Sequence, residues 1–80
     1  MSNIDTFMNI FEEEMRANMA RSPGSYSFGL DGLPGILAKF RESLSKDSYS
    51  IEGPAIKATC KRLKIRRTYG AIRAYLGRES

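Results

Sequence analysis

The chain of 80 residues contains no histidine and one cysteine, Cys60. A lone thiol closes no internal disulfide, and without histidine there is no Cys/His set at zinc-ligand spacing, so a reducing compartment is favoured and no metal is expected. The missing histidines leave any general base to a carboxylate, lysine or tyrosine. Neither a glycine-rich phosphate loop nor a paired-carboxylate spacing is present, so neither enzyme activity nor a cofactor is expected. No apolar run approaches the roughly 20 residues that span a bilayer. The first residues carry Asp5, Glu12, Glu13 and Glu14 where a basic leader would stand, so a cytoplasmic protein with no membrane partner is expected. Internal repeats and low-complexity tracts are absent as well.

What is present is ordinary for a globular domain, 41 % hydrophobic and 28 % charged. A chain of this length hides only about 60 % of its unfolded surface, which leaves a thin stability margin. A homodimer through the N-terminal helix is a reasonable way to widen it.

The net charge of +4 conceals a division. Residues 1–52 hold eight acids and five bases, a net of −3, whereas residues 53–80 hold eight bases and only Glu79, a net of +7. Between Gly53 and Arg78 there is no carboxylate. A segment built for solubility intersperses both signs, so a one-signed segment suggests a polyanionic partner.

Apolar spacing divides the single domain, residues 1–80, into four helices. Over residues 2–21, Ile4, Phe7, Met8, Phe11, Met15 and Met19 recur at helical period, with Ser2 as N-cap and Ser22-Pro23-Gly24 as the stop. Residues 22–32 read as an ordered loop pinned by Tyr26, Phe28 and Leu30. Residues 33–45 form a helix with Pro34 in its first turn and one face of Leu33, Ile36, Leu37, Phe40 and Leu44. Residues 46–53 are a polar connection. From Pro54, Ile56, Cys60 and Leu63 mark a third helix, and Thr68 caps a fourth that carries Ile72, Tyr75 and Leu76 and ends near Gly77. The expected fold class is all-α, a small bundle of about four helices whose C-terminal pair, within residues 54–77, is helix-turn-helix-like. The Glu12–Glu14 run lies opposite the apolar stripe and reads as the solvated side of its helix.

In AIKATCKRLKIRRTYGAIRAYL, a short helix is followed by a tight turn with one aliphatic, Ile65, and then a second short helix. Ala58, Gly70 and Ala71 are small enough to let two steeply crossing helices approach. The stretch resembles the helix-turn-helix of small bacterial, plasmid and phage DNA-binding regulators. In that pattern a glycine usually follows the leucine that ends the first helix. Here Lys64 stands there, and a lysine is unfavourable in a left-handed conformation, so a longer or differently shaped turn is expected. The next aliphatic of the pattern arrives about two residues late, at Ile72.

The resemblance implies a transcriptional repressor or accessory factor that binds double-stranded DNA. The second helix would enter the major groove with Arg66, Arg67, Thr68, Tyr69 and Arg73 nearest the bases and phosphates. Lys57, Lys61 and Lys64, one stripe on the preceding helix, would meet the backbone, and Arg62 belongs to the same candidate binding set. Six to eight phosphate contacts would make affinity fall on the order of a thousandfold between about 50 and 200 mM salt. Two other readings of the same charge compete. One is a phage-type inhibitor or interaction module that docks its basic face on a host protein or nucleoprotein complex. The other is sequence-tolerant RNA or single-strand binding, with Tyr69 and Tyr75 as stacking platforms. Cys60, between Ile56 and Leu63, reads as core.

Overall fold

The structure, a computed structural model, describes residues 2–78. The fold is all-α, with four helices and no strand among the described residues. Helix α1 spans Asn3–Arg21, α2 Leu33–Ser45, α3 Pro54–Leu63 and α4 Tyr69–Gly77. Single turns of 3-10 helix at Pro23–Ser25 and Leu30–Gly32 punctuate the first loop. None of these helices is long and apolar enough to cross a membrane.

Helix α1 is the surface on which the others rest. It packs against α2, α4 and, most extensively, α3. Phe7, Met8, Phe11, Met15 and Met19 of its stripe are buried, and they meet Leu33 and Leu44 of α2, Ala55, Ile56 and Cys60 of α3, and Ile72 of α4. The apolar stripe of α1 is thus covered by the chain's own helices.

Local chemistry fixes the helix ends. The Ser2 hydroxyl accepts from the Asp5 amide at 3.3 Å, satisfying one orphan N–H of α1. Thr68 accepts from the Ala71 amide at 3.1 Å and does the same for α4. Pro34 and Pro54 occupy first-turn positions, where a missing N–H costs nothing. Gly53 precedes α3 at φ 112°, a conformation that a side chain would strain. At the far end of the molecule, the Asn3 amide donates to the carbonyls of Tyr75 at 2.7 Å and Arg78 at 2.6 Å, so α1 caps the end of α4.

The connection between α2 and α3 is less polar in effect than in composition. Tyr49 and Ile51 pack against the core. Tyr49 is the third ring of a ladder that begins with Phe11 stacked on Phe40 at 4.2 Å. From Phe40 the ladder runs edge-on to Tyr49 at 6.3 Å, and from Tyr49 to Tyr69 of α4 at 5.3 Å. Edge-to-face rings at such separations attract beyond their buried area, so the ladder ties α1, α2, the connection and α4 together.

Candidate nucleic-acid interface

The turn between α3 and α4 corrects one expectation from the sequence. Lys64 does adopt the left-handed conformation, at φ 59° and ψ 40°. Its amide donates to the Lys61 carbonyl at 3.1 Å, and the Ile65 amide donates to the Cys60 carbonyl at 3.0 Å. These are the paired hydrogen bonds of a Schellman motif, which satisfy the last carbonyls of α3. Ile65, just past the left-handed residue, packs against the core that contains Cys60 and supplies the motif's apolar contact. The turn therefore keeps its compact shape with a lysine where glycine is cheaper, because the backbone bonds and the Ile65 anchor outweigh the strain.

A second expectation changes too. Gly70 does not mediate a close approach of α3 and α4, since a Cβ built there would meet nothing within 4 Å. Both short helices rest on α1, so no small residue is needed between them at that point. Ala58 and Ala71 are half-buried, while Gly70 faces solvent.

The nine residues singled out from the sequence fall into distinct groups. Lys57, Lys61, Lys64 and Arg66 are exposed and have no carboxylate partner among the described residues. The first three recur at i, i+4 and i+7, so they share one face of α3 and its turn, and Arg66 follows within that turn.

Three arginines are held by acids from elsewhere in the chain. Arg62 reaches Glu13 at 2.9 Å and Glu14 at 3.1 Å on α1. Those hydrogen bonds, Glu13 first, raise the guanidinium pKa further above its ordinary value. The Glu12–Glu14 run is therefore only partly a solvated side, because two of its members pin α3. Arg67 donates to the Ile51 carbonyl at 2.8 Å and lies 3.3 Å from Glu52. That staples the turn to the preceding connection. Arg73 lies 3.3 Å from Asp47, with its side chain 65 % exposed.

Thr68 is engaged as the N-cap, and Tyr69 is 46 % exposed with its ring against Tyr49. Tyr75 is half-buried and packs on the core, which suits a structural ring better than a stacking platform. Cys60 is 1 % exposed, and burial pushes its thiol pKa up, as the core role requires.

No family model, curated protein or solved structure matches this chain.

The outward strip of α4 carries Tyr69, Gly70, Arg73, Ala74 and Gly77, all exposed and none acidic. With one long cation and three small residues it is a low-relief surface. An α-helix with side chains is about 10–12 Å across, and the major groove of B-DNA is about 12 Å wide, so low relief helps a helix seat deeply. The sequence signal for the unpaired set was the i, i+4, i+7 lysine spacing. Nothing local signalled which arginines would be neutralised, because their partners lie up to 49 residues away.

Proposed function

We propose that this chain binds double-stranded DNA through α3, the Lys64–Thr68 turn and α4, acting as a small plasmid- or phage-type transcriptional repressor or accessory factor. The observation that carries the reading is the residue of charge left after internal pairing. Lys57, Lys61, Lys64 and Arg66 stand together on α3 and its turn without a carboxylate partner among the described residues, beside an acid-free helix face. Desolvating unpaired cations against one another is unfavourable, whereas a phosphate backbone supplies counter-charge at each.

In this arrangement the lysine row of α3 and Arg66 hold phosphates and set the register, while α4 presents Tyr69 and Arg73 to the groove. Arg62 and Arg67 serve the fold, and so the phosphate count drops to about four. Such a count gives a slope near −3.6 in log affinity against log salt, or roughly a 150-fold loss between about 50 and 200 mM. That is shallower than the loss expected when every cation of the segment is counted.

The test is fluorescence anisotropy with a random duplex across this salt range, for the parent and for a Lys57→Gln/Lys61→Gln double variant. The double variant should lower the slope by about 1.8. No duplex binding at low salt, or equal slopes for the two proteins, would overturn the reading.

A further inference from the structure

We propose that Asp47 is a positioning residue for Arg73 and that the pair selects guanine in the major groove, an inference that rests on the duplex-DNA reading above. The three paired arginines of the basic segment are not all gripped at the same atom. Arg62 engages Glu13 and Glu14 through Nη1, at 2.9 and 3.1 Å. Arg67 likewise uses Nη1, for the Ile51 carbonyl at 2.8 Å and for Glu52 at 3.3 Å. In both, one of the two terminal nitrogens of the guanidinium is engaged within the chain.

Arg73 differs. Asp47 meets its Nε, with the two carboxylate oxygens at 3.4 and 3.3 Å, and neither terminal nitrogen has a partner among the described residues. The guanidinium is planar with its donors in a fixed fork, so a hydrogen bond at Nε sets the plane and leaves the Nη1–Nη2 edge available. That edge offers the paired N–H donors that match O6 and N7 of guanine.

Asp47 is well placed for this task. Its own amide donates to the Leu44 carbonyl at 3.4 Å, and the Ser48 amide donates to the Ser43 carbonyl at 2.9 Å, anchoring it to the end of α2. Its backbone is left-handed, at φ 54°, a conformation aspartate tolerates better than most residues. On α4, the exposed neighbours Gly70, Ala74 and Gly77 leave Arg73 as the long side chain of its strip beyond Tyr69. A carboxylate beside a cation also weakens it as a phosphate anchor. The pair therefore contributes direction more than charge, which is what base reading demands and backbone binding does not.

The experiment uses the full chain, selection from a randomised duplex pool, and anisotropy on the selected duplex with its fixed G·C pair intact or exchanged for A·T. The parent should enrich a fixed guanine and lose between about fivefold and a hundredfold on the exchange. Asp47→Gly removes the carboxylate and suits the positive φ. It should reduce that discrimination to below about threefold while binding random duplex as well as the parent or better. Asp47→Asn, whose amide oxygen can still accept from Nε, should retain part of the discrimination, and Arg73→Lys should abolish it. Thermal melts by circular dichroism confirm that each variant folds. An Asp47→Gly variant that discriminates as the parent does, in a parent that binds duplex with the expected salt slope, overturns the positioning role alone. A parent that enriches no guanine overturns the selection. A parent that binds no duplex overturns the underlying reading with it.

Discussion

Replacing Lys64 by glycine should move stability and DNA binding in opposite directions. Lys64 sits at φ 59° and ψ 40°, where an L-residue carries about 1–2 kcal/mol of strain. Glycine removes that strain but adds about 0.5–1 kcal/mol of backbone entropy to the unfolded chain, so the net gain is about 1 kcal/mol. The Schellman hydrogen bonds are made by backbone atoms alone and survive the exchange. In a domain of this size about 1 kcal/mol raises Tm by roughly 4–8 °C. The same substitution deletes one of the four unpaired cations of α3 and its turn, so the salt slope falls by about 0.9 and the loss between about 50 and 200 mM shrinks from roughly 150-fold to roughly 40-fold. Lys64→Ala is the matched control, because it discards the charge and keeps the strain. It should bind like the glycine variant and melt no higher than the parent. Circular dichroism melts and anisotropy titrations read the two effects separately. A glycine variant that melts at or below the parent refutes the strain argument, and an unchanged salt slope removes Lys64 from the interface.

Three other perturbations test the assignments around the site. Arg67→Ala should cost about 1–2 kcal/mol in urea unfolding, because it breaks the half-buried bond to the Ile51 carbonyl. Glu52→Gln, which disturbs only an exposed pair, should stay within about 0.5 kcal/mol, and equal losses in the two would undo the staple assignment. The Arg41 guanidinium, and then the Ser2 hydroxyl, hold the Asp5 carboxyl below its ordinary 3.8. Its contribution is therefore complete above that value and is lost as pH falls through the lower folded value. Parent and Asp5→Asn should accordingly differ in Tm at neutral pH and converge in strong acid, whereas a gap independent of pH would refute the ion pair. Cys60 should resist iodoacetamide at neutral pH until the domain is unfolded with urea, as read by mass spectrometry, and rapid labelling of the native chain would contradict its burial.

What could be read from the chain in advance was whatever depends on neighbours in sequence. Ser2, Thr68, Pro34 and Pro54 act within one helical turn, and the stripe of Phe7, Phe11 and Met15 needs only the helical period to declare itself. The spacing of Ile56, Cys60 and Leu63 likewise exposes the third helix, and Ile65 the turn residue that packs on the core. The turn at Lys64 is more compact than the sequence leads one to expect, because intrinsic preference is a weak prior. Two backbone hydrogen bonds and the burial of Ile65 act together there, and tertiary context wins when their sum exceeds about 1–2 kcal/mol of strain.

The candidate site was harder to read for a different reason. Local charge counts every basic residue equally, yet in the folded chain the acids of α1 and of the 46–53 connection select among them by distance. Glu13 and Glu14 take Arg62, Glu52 takes Arg67, and Asp47 takes Arg73 by one atom only. The acidic first part of the sequence is thus not merely a contrast to the basic end. It neutralises the cations that build the turn, orients one on α4, and leaves the α3 row of Lys57, Lys61 and Lys64 unpaired together with Arg66. A polyanion that binds this chain meets that remainder, so the charge that governs affinity is set by the fold and is smaller than the +7 counted along the segment.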